Sequence, residues 1–278
     1  MALIAVLWIV AALSIMVTGL TYTVRQQIEA AGVQRDQVSG QALGEAAIAL
    51  ALQQLQAGTQ RPKGIVTDTV PYAGIGIEVE AAPLDGLIPL GGASAELLAA
   101  LLRVAGGLGD AQAQALAQTL VEWRDGRPEL ELTEAAAARA MRRHFEAPED
   151  LLLVPGVDYA LYARIAPLVS ADLGGASRVN PEAAPPEVLA VLAQGNAARV
   201  AQYVSQRAGG QPGADASGFN PAFVGSGGGG LYRLRARVPL EAGKMLLLTR
   251  DVALDASASR SVPWRVLRTE RQIVVLPG

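Results

Sequence analysis

The chain has 278 residues, of which 51% are hydrophobic, 4% aromatic and 18% charged, with a formal net charge of −3. That balance excludes a generally basic protein that coats nucleic acid. With no cysteine and one histidine, His144, there are no disulfides, thiolate or multi-histidine metal sites, iron–sulfur clusters or cysteine nucleophiles. Assembly or binding is therefore the expectation, rather than catalysis.

From Met1 to Val24 no side chain is charged. As a helix rising about 1.5 Å per residue, this stretch reaches roughly 36 Å, enough to cross a bilayer's hydrocarbon. A cleavable signal would begin with basic residues and carry a shorter apolar core, so residues 1–24 read as an anchor. From Arg25 to Gln56 there is no proline, and Ile28, Ala31, Ala42, Ala46 and Leu50 recur at helical spacing. One long helix follows from this, apolar at its start and amphipathic after it, with Gly32, Gly40 and Gly44 as positions where it bends.

Short β segments come next, over 64–70 and 74–80, with Pro71 marking the hairpin between them. Between Asp85 and Gln206 the chain is rich in Ala and Leu, predicting helices at Ala95–Val104, Ala111–Arg124, Thr133–Phe145, Tyr159–Ala166, Pro186–Ala193 and Ala197–Arg207. The stretch 208–230 holds GGQPGADASG and GSGGGG, the composition of a flexible loop. Strands return at Leu231–Pro239, Lys244–Leu254 and Val262–Leu276. Each β set is too short to stand alone, so 25–84 and 231–278 read as one α/β head and 85–207 as a helical block inserted in it. The fold class expected is α+β.

Charge follows the same division. From Asp85 to Asp215 there are 16 acidic residues against 10 arginines, while from Leu231 to Gly278 there are 9 basic and 4 acidic. Within the acidic block, LLLVPGVDYALYARI (Leu151–Ile165) and VNPEAAPPEVLAVL (Val179–Leu192) read like helix–hairpin–helix units. In nucleic-acid-binding versions the turn amides hold a phosphate. Here Glu149, Asp150 and Asp158 surround the turn, which opposes phosphate. A packing scaffold is the expected role, and a membrane-anchored DNA receptor the alternative.

In their order, ALIAVLWIVAALS at the start, EWRDG (Glu122–Gly126), LLLVPGVD (Leu151–Asp158), VNPEAAPPEVLAVL and YRLRAR near the end resemble the K-type minor pseudopilins of bacterial type II secretion, the GspK family. The resemblance covers nearly the whole chain. It implies a long N-terminal transmembrane helix, a pilin-like α/β head with an antiparallel sheet, and a large all-α domain inserted in that head. It also implies a single-pass inner-membrane protein with a periplasmic head, a non-enzymatic subunit at the tip of a short pseudopilus. Its partners would be the I- and J-type minor pseudopilins, and no nucleic acid is expected. Processing and N-methylation by a prepilin peptidase are implied at Met1.

Most pilin-like proteins carry a glutamate at the fifth mature position, where Ala5 stands if Met1 is the mature start. An intramembrane carboxylate is retained only with a partner, and a subunit that begins the assembly has none above it; an ordinary anchor equally has no need of one. Ala2, Ala5, Ala12 and Gly19 are small residues that let helices approach closely, and with Ile28 they form the expected partner-binding surface. Family members often carry two carboxylates after the tryptophan, associated with calcium. Asp125 keeps one, Arg127 stands at the other, and Glu129, Glu131 and Glu134 are the further candidate oxygen ligands. A plain solvated acidic segment is the alternative. Finally, Arg233, Arg235 and Arg237 alternate along a strand, which reads as a charge-protected edge.

Overall fold

The structure, a computed structural model, describes residues 35–58, 61–126, 145–208, 214–227, 229–241, 243–254 and 263–275. Among these residues no helix is long and apolar enough to cross a membrane. The expectations for the anchor and its first helical turns lie outside them.

A helix over 35–57 (α1) lies across an antiparallel sheet. The sheet has β1 (Val66–Tyr72), β2 (Ile75–Pro83), β5 (Leu231–Pro239), β6 (Lys244–Ala253) and β7 (Arg265–Val275) in the order β1-β2-β5-β6-β7. Strand alternation puts Ile77 and Val79 of β2, Leu234, Ala236 and Val238 of β5, and Leu246 and Leu248 of β6 on one face. Ala47, Ile48, Ala51 and Leu52 of α1 cover that face and complete the first core. Gly40 and Gly44 stand where helix and sheet meet. A Cβ on Gly40 would come within 2.6 Å of Leu240 Cδ2, and one on Gly44 within 3.1 Å of Leu248 Cδ2. These glycines allow close approach to the sheet, where the sequence reading assigned bends.

The hairpin joining β1 and β2 turns at Ala73-Gly74, with φ of 50° and 79°, and Pro71 belongs to the strand before it. Two successive positive φ values match the right-handed twist of a hairpin, but alanine tolerates the first poorly. Ala73→Asn is expected to stabilise the protein by about 1 kcal/mol, raising the melting temperature by about 2–4 °C. A thermal melt that falls instead would contradict this turn geometry.

The chain leaves the sheet at Pro83 and returns at Leu231, and in the antiparallel pairing of β2 with β5, Pro83 faces Tyr232. Everything between is thus a very long hairpin loop, and it folds around a second core. Its described helices are α2 (Ala95–Val104), α3 (Asp110–Asp125), α4 (Tyr159–Ile165), α5 (Pro186–Leu192) and α6 (Ala197–Ala208). Two short strands, β3 (Ile88–Pro89) and β4 (Val169–Ser170), pair in parallel inside it. Ser94 caps α2 by accepting from the Leu97 amide at 3.2 Å, and Asp158 caps α4 by accepting from Leu161 at 2.7 Å. Leu97, Leu98, Leu101 and Leu102 of α2, Ala113 and Ala117 of α3, and Val188, Leu189 and Leu192 of α5 are buried together.

A flexible loop over 208–230 does not describe residues 214–227. Phe219 and Phe223 are buried in the second core, Val179 and Val224 form a parallel bridge, and the Gly225 amide donates to Val179 O at 2.9 Å. Two phenylalanines among the glycines supply the burial that tethers this segment.

Candidate assembly surface and its comparisons

The place where the helical block joins the sheet is held by buried polar groups, and Asn180 is at its centre. Only 4% exposed, its side-chain nitrogen donates to Lys63 O at 2.8 Å and Asp85 Oδ1 at 3.1 Å, and its oxygen accepts from the Glu182 amide at 3.1 Å. Its own amide donates to Asp85 O at 2.7 Å. Arg207 of α6 reaches the same loop, donating from Nη1 to the carbonyls of Pro181, Glu182 and Ala184. Burial pulls its guanidinium below the usual arginine value. VNPEAAPP thus works as a polar knot tying the start of the block to its far end, a role its helix–hairpin–helix-like pattern did not disclose.

A second charged joint lies on the sheet face away from α1. Arg233 donates from Nε and Nη2 to both oxygens of Asp251, at 2.8 and 2.9 Å, and Asp251 is 2% exposed. Burial pulls the Arg233 guanidinium down, but hydrogen bonding to Asp251 and its charge outweigh this and hold it above the usual value. Arg235 pairs with Glu80 at 3.5 Å, and Arg237 pairs with Glu78 and Glu80. The three arginines are therefore on a central strand, engaged with β2 and β6, and do not protect an edge. Strand order puts β5 between two neighbours, and cross-strand pairs consume its charges.

Asp172, in the helical block, faces this cluster. Burial raises its carboxyl above the ordinary carboxylate value; Arg268, Arg233 and Arg265 oppose the rise and Asp251 adds to it. With the folded value above the unfolded one near 3.8, the folded state holds the proton more tightly. Stability from this group is complete in acid below the unfolded value and is lost as pH rises through the folded one. Asp172→Asn is accordingly expected to raise the melting temperature at neutral pH and to lose that advantage in strong acid. A shift that is the same at both would contradict the assignment.

The LLLVPGVD segment forms a 3₁₀ turn over Pro148–Leu153 followed by a reversal at Gly156, whose φ of +93° favours glycine, and then α4. Leu151 and Val154 are buried, whereas Leu152, Leu153 and Tyr159 are exposed. Asp150 holds the amides of Glu146 and Ala147, Asp158 caps α4, and Glu149 pairs with Arg268 of β7 at 3.0 Å. Each carboxylate near the turn thus has an intramolecular task. An apolar, acid-flanked tip of this kind suits contact with protein better than with phosphate.

Residues 89–172, from β3 through β4, match the family model described as type II secretion system (T2SS), protein K. That stretch is similar to a type II secretion protein K domain. That family is a structural component of secretion rather than a class of catalysts. Among solved structures the chain is similar to one from the GspK-GspI-GspJ complex of the enterotoxigenic Escherichia coli type 2 secretion system. Identity is 17%, coverage 89% of this chain and 98% of the other, and TM-score 0.49. No curated protein matches.

The protein K domain includes one residue of the expected calcium set within the described structure. Asp125 ends α3, with its carboxylate exposed and 2.8 Å from Arg124 Nε. Arg124 also donates to Leu90 O and Ala93 O, so this pair fastens α3 to the loop before α2. Glu129, Glu131 and Glu134 lie outside the described residues, as do Met1, Ala2, Ala5, Ala12, Gly19, Ile28 and His144. Among the described residues no three acidic or histidine side chains are grouped to hold a metal ion. Trp123 stacks on Phe145 with ring centroids 4.7 Å apart and packs against the second core.

Proposed function

We propose that this protein is a K-type minor pseudopilin, a non-enzymatic subunit that nucleates or caps the tip of the type II secretion pseudopilus. The observation that carries this reading is the protein K match over residues 89–172, in a block set between the adjacent strands β2 and β5. Residues 1–24 cross the inner membrane and the head is periplasmic. Ala2, Ala5, Ala12, Gly19 and Ile28 form the helix surface that packs against I- and J-type minor pseudopilins.

The tip position follows from bulk. The inserted block hangs from a single hairpin position and enlarges the head, so repeating it at every subunit of a fibre would bring blocks into collision. Calcium, if the head takes it, is held by Asp125 with Glu129, Glu131 and Glu134, and its removal then lowers the melting temperature of the wild type but not of Asp125→Ala.

Deletion of the gene tests the function in the cell. Secreted proteins are expected to accumulate in the periplasm and to be released again when the full chain is restored. Normal secretion in the deletion strain would overturn the reading.

A further inference from the structure

Among the described residues of the helical block, three large hydrophobic side chains stand exposed, and all belong to one reversal of the chain: Leu152 at 41%, Leu153 at 67% and Tyr159 at 73%. Every other described leucine of the block is buried or half-buried. The three do not sit on a loose loop. Leu151 and Val154 are buried on either side of the exposed leucines, and the Val157 amide donates to Val154 O at 3.1 Å, closing the turn between Leu153 and Asp158. A Cβ on Gly156 would stand 3.2 Å from Leu116 Cδ1, so the turn is seated on α3. The apolar surface is therefore preformed, and covering it costs little ordering.

Carboxylates border it on both sides. Residues 145–165 hold Glu146, Glu149, Asp150 and Asp158 against a single cation, Arg164. Among the described residues only Glu149 meets a basic side chain, Arg268 of β7 at 3.0 Å. Asp150 spends Oδ2 on the amides of Glu146 and Ala147, and Asp158 spends Oδ1 on the amide of Leu161, which leaves each its charge and its second oxygen. Glu146 is exposed. An apolar row bordered by carboxylates is complemented by an apolar stripe bordered by cations, the face of a basic amphipathic helix. A lipid surface fits less well, because Asp158 would enter the headgroups beside Tyr159 and anionic lipid would repel the whole border.

We propose that the reversal at Leu152–Tyr159 docks a lysine- or arginine-rich amphipathic helix of another protein. Leu152, Leu153 and Tyr159 cover its apolar stripe, and Glu146, Asp150 and Asp158 face its flanking cations. This surface is independent of the tip position, because none of these residues lies on α1 or on the sheet.

With no cysteine in the chain, Leu153→Cys provides a single labelling point. The full chain with acrylodan at this position, in neutral detergent, is titrated with a leucine–lysine helical peptide of about four turns. Its emission is expected to shift to the blue saturably, and to stay put when glutamate replaces every lysine of the peptide. Acrylodan on Gln112→Cys, at an exposed position of α3, is expected not to respond. In the labelled chain Tyr159→Ser is expected to weaken binding about ten-fold, and Glu146→Lys about five-fold at low salt. Both side chains are exposed, so melting temperatures are expected to hold. At about 1 M salt the Glu146→Lys difference is expected to vanish. No shift, an equal shift with both peptides, or full affinity in both variants would overturn the proposal. So would a blue shift produced by phosphatidylcholine vesicles alone, which would assign the surface to lipid. A shift that grows with protein concentration alone would assign it to a second copy and overturn the proposal equally.

Discussion

Asp251→Ala is expected to lower the melting temperature by on the order of 10 °C, the largest effect of any side-chain truncation in the sheet. Its carboxylate is 2% exposed and receives two hydrogen bonds from Arg233. Removing it leaves a guanidinium, itself largely buried, with no counterion on β6. Breaking one side of such a pair costs about 3–5 kcal/mol, because the remaining charge is stranded away from water. Replacing both partners with leucine is expected to recover most of the loss, since the pair itself is worth little beyond the desolvation it repays. Calorimetric melts of the single and double variants distinguish this from simple loss of packing. A double variant as unstable as the single would contradict it.

The second large effect is expected at Asn180. Its side chain satisfies three groups at once: the Lys63 carbonyl, the Asp85 carboxylate and the Glu182 amide. Asn180→Ala leaves these to find other partners in a loop that is mostly buried. Each unsatisfied group costs about 1–3 kcal/mol, and partial rehydration through a cavity alongside keeps the total near about 3 kcal/mol. Because the knot joins residue 63 to residues 180–182, the loss is expected to separate block from sheet. Protease cleavage on both sides of the knot, near residues 63 and 182, is the measurement. A variant that melts lower without new cleavage there would mean the two parts are held elsewhere.

Periodicity carried the elements well and their arrangement poorly. Ala95–Val104 and Leu231–Pro239 were readable to the residue, because a leucine stripe or strict alternation is a local signal. The α+β class was legible for the same reason. Strand neighbours are not a local property, and so Arg233, Arg235 and Arg237 read as an edge when they lie on a central strand. Glycine was ambiguous in a similar way. Gly40 and Gly44 read as bends and Gly227 as loop freedom, yet a Cβ at each would strike a neighbour the sequence cannot name.

The candidate sites divide along the same line. Asp125 was visible in EWRDG, but its use of Arg124 depends on a helix end meeting the loop before α2. Asp251 was not singled out, although an aspartate within MLLLTRDVAL, an apolar run on a strand, was a signal that it must be paired. Tyr203 carried no signal at all, since a tyrosine on an amphipathic helix is ordinary until its hydroxyl is found buried with no partner among the described residues.

Assembly is the central claim, and co-purification tests it most directly. The full chain is expressed in detergent-solubilised form with I- and J-type minor pseudopilins from the same organism, each carrying a different tag. The account predicts a stable complex with one copy of each, retained through size exclusion, and weakened when Ala5 or Gly19 is replaced by a bulky side chain. I- and J-type proteins that bind each other while this chain elutes alone would contradict it.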